Sequence, residues 1–278
     1  MTKEVKKLVE SLSADFIFYS SMIHALRTEE AEIVAMEEGG ALIRHKKGYY
    51  HMITAKDVET GKRLMQGIKQ CDLLLVHEPF LIEEFRKKYS LYDEEICYQA
   101  VYIPEYLKEM GQLSKEKWNE KLKEFYLSDS LEQRKLEVKR IKERYGFHRG
   151  SKEQDGALLI QPLDLSYEQT ILSHYTMLPE EIIRERLQHH MIYGGFKEGE
   201  LIGFIGLHQE GSIGILEIFP EHQRKGYATQ MELFMIKKQL LAGAIPYGQI
   251  DQYNKRSMEL QRKLGMKLSD RTICWLFQ

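Results

Sequence analysis

The sequence predicts a mixed α/β fold made of two domains, each with a β-sheet flanked by helices. Three observations support this prediction. Short apolar runs of strand length alternate along the whole chain with longer stretches of helical periodicity. The 278 residues are enough for two domains of ordinary size with separate hydrophobic cores. A polar stretch with three glycines at 146–156 separates the two halves.

The composition is that of a globular protein, and it argues against two classes of partner. Hydrophobic residues make up 43% of the chain and charged residues 29%. Because 40 basic residues nearly balance 42 acidic ones, no net positive field attracts nucleic acid or a membrane surface. The N-terminus lacks the apolar segment of a signal peptide, and no apolar run approaches the roughly 18 residues of a membrane helix. We expect a cytoplasmic protein without nucleic-acid or membrane partners.

The three cysteines, Cys71, Cys97 and Cys274, are widely scattered. None has the C-x-x-C or histidine spacing of a metal site, so the sequence indicates neither a metal nor a disulfide framework. We expect all three to be buried as small apolar side chains in a reducing compartment.

The first half predicts two helices, a hairpin and then alternating helices and strands. Asp57 is a typical helix cap and Pro79 a typical first helical residue, so these positions mark two helix starts. The Gly39-Gly40 pair marks a turn before the hairpin. The predicted helices are 3–11, 15–27, 57–69 and 79–88, and the predicted strands are 32–36, 41–44, 49–54, 71–77 and 95–103.

The stretch 104–155 is densely charged and contains an amphipathic helix at 130–145. Its basic side chains alternate with Glu132, Glu137 and Glu143. A nucleic-acid helix would be more uniformly basic, so this pattern favours a solvated helix that bridges two domains. The predicted domains are therefore 1–127, a charged linker helix and loop at 128–155, and 156–278.

The second half predicts a strand, two helices, three strands and then helix, strand, helix and a closing strand region. Pro179 opens the second helix, and a K-E-G-E turn with Gly199 joins the first two of the three strands. Asn254 is the expected cap of the last helix, with Gly265 just past its end. The predicted elements are strand 157–163, helices 165–175 and 179–190, strands 191–196, 201–208 and 213–219, helix 229–241, strand 247–252, helix 255–264 and one or two strands at 266–277.

The stretch 211–228 contains the strongest functional signal. An apolar strand ends at Pro220, and a turn Q-R-K-G-Y-A leads into a helix. Free N–H groups at a helix start attract anions, and Gly226 lets a phosphate approach the main chain. The turn matches neither the P-loop nor the dinucleotide-binding motif. A strand-turn-helix with one glycine is also common without any ligand, so both interpretations stay open.

The spacing of this turn resembles the acetyl-coenzyme A motif of the GNAT acetyltransferase superfamily, [QR]-x-x-G-x-[GA] after a strand ending in V-x-P-E. A second block, PYGQIDQYNKRSMELQRKLGM at 246–266, resembles the closing strand, asparagine and helix of that fold, in a form similar to glycine N-acyltransferase-like members. The resemblance covers roughly the last 120 residues, a typical domain size. The matching positions of the first motif are Ile218, Phe219, Pro220, Glu221, Gln223, Gly226 and Ala228.

The resemblance implies a GNAT fold, with a mixed central sheet flanked by helices, for 156–278. The element order of the first half is reminiscent of a degenerate GNAT-like domain without the cofactor motif. The implied activity is N-acyl transfer, moving an acetyl or short acyl group from coenzyme A to the amine of a small molecule or amino acid. The implied co-substrate is acetyl-CoA, without a metal, and the chain is expected to be a monomer or homodimer.

The resemblance also implies which residues hold acetyl-CoA. The main-chain N–H of Ile218, near a β-bulge, would stabilise the thioester oxygen, and the pantetheine arm would pair with the strand. Arg224 and Lys225 add charge to the pyrophosphate turn, although they equally fit ordinary exposed basic residues. Asn254 and Ser257 match cofactor positions, but a helix cap explains them as well. The implied cofactor-binding residues are Ile218, Phe219, Gln223, Arg224, Lys225, Gly226, Tyr227, Ala228, Thr229, Asn254 and Ser257.

Glu217 is the candidate general base, and Ile218 the second catalytic position. Glu217 is a carboxylate within an apolar run, where burial would raise its pKa, though it also fits a solvent-facing strand position. Asp251, Tyr253, His222 or a relayed water are alternatives. Many relatives carry a tyrosine acid in the last helix at the position of Gln261. An amide cannot donate that proton, so water, Tyr253 or Tyr227 would have to supply it.

The substitution at Gln261 keeps a second hypothesis open: a catalytically silent acyl-CoA-binding sensor or partner-binding module. The acceptor cannot be identified from the sequence. Histidines and a tyrosine of the two helices after 165 either line its pocket or fill the core: His174, Tyr175, His189 and His190.

Overall fold

The computed structural model describes residues 1–47, 49–128, 130–145 and 158–278. These residues form two compact units. The first combines Met1–Asp129 with Tyr247–Gln278, and the second is Ser130–Pro246. The predicted domain boundary at 146–156 lies outside the described residues.

The N-terminal half forms the predicted pattern of helices, hairpin and alternating elements. Asp57 caps its helix by accepting a hydrogen bond from the Thr60 N–H, 2.7 Å away. That helix ends at Met65 rather than 69, just before Gly67, because glycine disfavours helix. The elements are α1 Lys3–Leu12, α2 Ser20–Arg27, β1 Ala31–Glu37, β2 Gly40–His45, β3 His51–Ala55, α3 Val58–Met65, β4 Leu73–Val76, α4 Ile82–Tyr89, β5 Asp93–Tyr102, α5 Glu105–Lys108 and α6 Lys115–Leu127.

The C-terminal half follows the predicted order of elements. Its hairpin turn has positive φ at Glu198 and Gly199, which is typical of a tight two-residue turn. The elements are α7 Leu131–Arg144, β6 Leu159–Pro162, α8 Glu168–His174, α9 Glu180–Gln188, β7 Ile192–Lys197, β8 Glu200–Leu207, β9 Ile213–Ile218, α10 Tyr227–Leu241, β10 Tyr247–Asp251, α11 Lys255–Lys263 and β11 Met266–Phe277.

The first unit is built on a seven-stranded mixed sheet in the order β1-β2-β3-β4-β11-β5-β10. The pairing of β3 with β4 is parallel, and the other pairs are antiparallel. Helices α3 and α4 cover one face, where Ile53, Leu74, Phe85 and Leu276 form part of a buried cluster. This sheet and its helices confirm the predicted fold class.

The last strand, β11, lies between two strands of the N-terminal half. It pairs with β4 through Cys274–Val76 and with β5 through Cys274–Ile96. Residues 247–278 therefore group with the first 129 residues, whereas the predicted domains placed them with 156–246. The difference arises because strand partners are chosen by long-range pairing, which periodicity does not encode.

The second unit contains a four-stranded antiparallel sheet in the order β6-β7-β8-β9. Helices α8 and α9 contribute Ile171 and Ile183 to a core that also contains Phe204, Ile215 and Phe219. Helix α10 follows β9 after a short turn. In this sheet β9 is an edge strand, and its residues are partly buried and partly half-buried.

All three cysteines are free and buried, as predicted. Among the described residues, no His, Cys, Asp and Glu side chains group in a way that suits a metal ion. No helix in the same part of the chain is both long and apolar enough to cross a bilayer.

Candidate functional site

Strand β9 carries a β-bulge opposite β8. Phe204 pairs with Glu217 and Gly206 with Gly214, so β9 has one more residue than β8 in this interval. Ile215, inside the bulge, has φ +52°. A β-branched residue in the left-handed region is strained, and such strain concentrates at functional sites. The resemblance implies a bulge near Ile218. In the structure the bulge is at residues 215 and 216, earlier in the same strand.

The main-chain groups of Ile218 face away from β8. The N–H of Phe219 donates to the Ile202 carbonyl of β8 at 3.0 Å. Because N–H directions alternate along a strand, the Ile218 N–H points to the open side of β9. That side lacks a strand neighbour in the described sheet. The expected oxyanion donor is therefore on the edge of β9 that pairs with no strand among the described residues.

Gln223 braces the turn that follows the strand. Its Nε2 donates to the carbonyl of Ile218 at 2.8 Å. Lys225 makes a similar contact, from Nζ to the Glu221 carbonyl at 3.0 Å. The resemblance implies that both residues bind the cofactor. In the structure both side chains hold the turn in shape, and their contact with a cofactor stays a prediction.

The main chain from Arg224 to Thr229 carries six consecutive N–H groups where the turn leads into α10. Arg224 and Gly226 have φ of +62° and +82°, and such alternation in a turn orients successive N–H groups toward one point. Among the described residues, no hydrogen-bond acceptor pairs with any of these six N–H groups, and the first one paired in α10 is that of Gln230, to the Gly226 carbonyl at 3.2 Å. We call these six residues the amide cradle.

The amide cradle is exposed to solvent at its turn, and the helix that follows it is held by buried side chains. A Cβ built on Gly226 meets no atom within 4 Å. Tyr227, in contrast, is buried, as are Met231 and Leu233 one turn further along α10. The positive end of the 15-residue α10 therefore points at an exposed turn, which suits a phosphate group.

Glu217 lies beside this site, half-buried, on the strand position opposite Phe204. Its place next to the Ile218 N–H fits the expected general base. The alternative His222 has Nε2 3.8 Å from Glu221 Oε1 and 4.0 Å from Glu200 Oε1, so carboxylates surround that imidazole. The catalytic role of Glu217 stays a prediction.

His174 stacks on Phe219 at the end of β9. Their ring centroids are 4.2 Å apart at an interplanar angle of 26°. His174 Nδ1 lies 2.9 Å from the Thr170 carbonyl oxygen and 3.0 Å from the Ser173 hydroxyl oxygen. Of the histidines considered for an acceptor pocket, this one lies next to the strand that ends in the cradle.

Asn254 and Ser257 belong to the first unit, and the amide cradle belongs to the second. Asn254 Oδ1 accepts a hydrogen bond from the Ser257 N–H at 3.0 Å, so it caps α11. Gln261, on the same helix, is buried. The cap accounts for Asn254, and cofactor contact by Asn254 or Ser257 stays a prediction.

The segment that contains the cradle has a recognised sequence pattern. Residues 192–276 match the sequence model of the FR47-like protein family. The FR47-like segment runs from β7 through β11 and includes β9, the amide cradle and α10. The match supports the resemblance to the GNAT superfamily. The narrower likeness to glycine N-acyltransferase-like members stays a prediction.

Three solved structures are similar over nearly the whole chain. A Drosophila protein has a TM-score of 0.55 at 12% identity, covering 99% of this chain and 96% of that one. A GCN5-related N-acetyltransferase-like protein from Streptococcus suis has a TM-score of 0.48 at 12% identity, covering 99% of this chain and 99% of that one. An acetyltransferase from the GNAT family of Colwellia psychrerythraea has a TM-score of 0.44 at 9% identity, covering 100% of this chain and 98% of that one. The Drosophila structure, at 12% identity, shows a likeness of the fold alone. A comparison with curated proteins found no match.

Proposed function

We propose that the protein is an acyl-CoA-dependent N-acyltransferase that moves an acetyl or short acyl group to the amine of a small molecule or amino acid. The observation that carries this proposal is the amide cradle: six main-chain N–H groups without an acceptor among the described residues, at the start of α10. A diphosphate offers acceptor oxygens and negative charge, which match these donors and the helix dipole. The match of 192–276 to the FR47-like family supports the same conclusion.

The reaction needs two contributions from the protein: stabilisation of the oxyanion and removal of the ammonium proton. The acceptor ammonium loses a proton, and its nitrogen then attacks the thioester carbonyl carbon. The new C–N bond forms, the C–S bond breaks with its electron pair going to sulfur, and the nitrogen releases its second proton. We assign stabilisation of the developing oxyanion to the Ile218 N–H and removal of the ammonium proton to Glu217.

The thiolate leaves without a tyrosine acid at the position of Gln261. A thiol has a pKa of about 8.5, so its thiolate is a fair leaving group near neutral pH. Protonation by water is therefore sufficient. The buried Gln261 fits a role in packing α11.

Calorimetry with acetyl-CoA tests the cradle, and the chain offers a matched control. Gly226 and Gly243 flank the two ends of α10, both with positive φ (+82° and +79°), and a Cβ at either one meets nothing within 4 Å. Gly226→Val and Gly243→Val therefore introduce similar backbone strain. We expect Gly226→Val to weaken acetyl-CoA binding at least tenfold and Gly243→Val to leave it unchanged. If wild type does not bind millimolar acetyl-CoA, or both variants bind equally, the proposal is wrong.

A silent acyl-CoA sensor is the alternative, and turnover separates the two functions. Thiol release from acetyl-CoA is followed with a panel of small amines and amino acids. Amine-dependent release that Glu217→Gln abolishes rules out the sensor. Tight acetyl-CoA binding without release for any acceptor favours it.

A further inference from the structure

The first unit contains a cavity of about 780 Å³ that no step of the proposed reaction uses. It lies at the carboxyl ends of the parallel strands β3 and β4, the usual place for ligands in parallel sheets. Its volume is typical of small-molecule sites. We call it the Glu78 cavity. Its lining includes Glu78, Tyr19, Thr54, Phe80, Ser11 and Glu38.

Glu78 is a buried carboxylate fixed by three donors. The hydroxyls of Tyr19 and Thr54 donate to Oε1 at 3.0 and 2.9 Å, and the Ala55 N–H donates to Oε2 at 3.0 Å. Tyr19 is itself held against the fully buried His77, with ring centroids 5.2 Å apart. The carboxylate is thus presented in a fixed orientation at the cavity wall.

Within the described part of the chain, this carboxylate has no direct ion pair. Among the described residues, no lysine or arginine nitrogen lies within 4.0 Å of it. Arg271 acts from farther away: its guanidinium lies over the Phe18 ring at 3.7 Å and pairs with Asp15 at 3.4 Å. Lys7 and Lys56, the other cations of the lining, are exposed.

Burial raises the pKa of Glu78, and its three hydrogen bonds together with the more distant charge of Arg271 lower it only in part. A buried carboxylate without a direct ion pair is costly to the fold, so such groups mark candidate ligand sites. A ligand cation would remove that cost. The aromatic rings of Tyr19 and the half-exposed Phe80 add surfaces that attract cations.

We infer that the Glu78 cavity binds a small organic ammonium compound, with its charged nitrogen at the Glu78 carboxylate. This site goes beyond the proposed transferase function, because it uses no residue of β9 or the amide cradle. Loss of coenzyme A binding would therefore leave it intact, and the two proposals fail independently.

Calorimetry of the full chain with three four-carbon probes tests the inference. We expect n-butylamine, charged at pH 7.5, to bind with a millimolar or tighter Kd, and 1-butanol and butyrate not to bind. Glu78→Gln should weaken butylamine at least tenfold, and Glu38→Gln, an exposed carboxylate of the same lining, should not. Absence of butylamine binding, stronger binding of butyrate, or equal binding by Glu78→Gln would overturn the inference.

A second variant keeps the test decisive if Glu78→Gln fails to fold. Ser11 is an exposed residue of α1 at the cavity wall, so Ser11→Trp fills the cavity without touching the hydrogen bonds of Glu78. Circular dichroism checks that it is folded. A folded Ser11→Trp that loses butylamine binding supports the site, and one that binds like wild type contradicts it.

Discussion

The side-chain amide of Gln223 donates to the main-chain carbonyl of Ile218 over 2.8 Å and closes the turn between β9 and α10. The residue that the family pattern requires is thus a brace for the amide cradle. This contact fixes the start of the cradle relative to the N–H of the same Ile218, the expected oxyanion donor. One hydrogen bond therefore links the proposed diphosphate end of the site to its proposed reactive end.

Gln223→Glu should loosen this turn, because a carboxylate cannot donate and repels the carbonyl. One net hydrogen bond contributes about 1 kcal/mol, so we expect acetyl-CoA to bind roughly fivefold more weakly. Titration calorimetry measures the change. Gln223→Lys, which can still donate, is the control and should retain more of the affinity. Equal affinity in Gln223→Glu and wild type would show that the brace is dispensable.

Glu217→Gln should lower kcat while leaving the KM for acetyl-CoA unchanged. The amide keeps the size of the side chain but cannot take a proton, and a general base typically contributes about 10²- to 10⁴-fold. Thiol release at saturating acetyl-CoA is the measurement. Glu221→Gln, an exposed carboxylate in the same turn, is the matched control. A loss confined to KM would place Glu217 in binding rather than proton transfer.

The buried His77 should make the stability of the first unit sensitive to acid. Burial lowers the pKa of His77 to about 3, from its ordinary value near 6.5. Its Nδ1 lies 3.1 Å from the Ile53 carbonyl, so the neutral ring donates there. Since the unfolded chain binds the proton more readily, the stability contributed by neutral His77 is complete above pH 6.5. This stability is lost as the pH falls from 6.5 toward 3. The loss in the free energy of unfolding reaches about 2 kcal/mol at pH 5.

Urea unfolding at pH 7 and pH 5 checks this expectation. His77→Asn is the comparison variant, because its amide can donate to the same carbonyl and does not titrate. Wild type should lose about 2 kcal/mol more than the variant between the two pH values. Parallel pH dependence of the two proteins would assign the acid loss to other groups.

Local sequence signals predicted most helices and strands. They did not predict contacts between residues that are far apart in the sequence. The caps at Asp57 and Asn254 and the turn at Gly226 were predicted because each signal lies within a few residues of its effect. Helix α6 was not predicted, although the spacing of Leu122, Phe125 and Tyr126, all buried, carries a helical period within a strongly charged stretch.

The Glu78 cavity and the place of β11 could not be predicted from the sequence. Glu78 meets Thr54 and Tyr19 over 24 and 59 residues of chain, and nothing local marks that contact. In the same way β11 has an ordinary strand sequence, and only its pairing with β4 and β5 places it in the first unit. The position of the amide cradle could be predicted because β9, the turn and α10 follow one another in the sequence.

The insertion of β11 leads to a last prediction, that the C-terminus stabilises the N-terminal unit. Leu276 is fully buried in the cluster that contains Leu74, its direct partner on β4. Leu276→Ala should lower the free energy of unfolding by about 2–5 kcal/mol, because it leaves a cavity in a packed core. The neighbouring Phe277, half-buried at the end of the strand, gives the control Phe277→Ala with a smaller loss. Protection of β4 amides in hydrogen exchange should fall with Leu276→Ala. If protection falls instead in β7 and β8, the strand contributes to the other unit and the grouping is wrong.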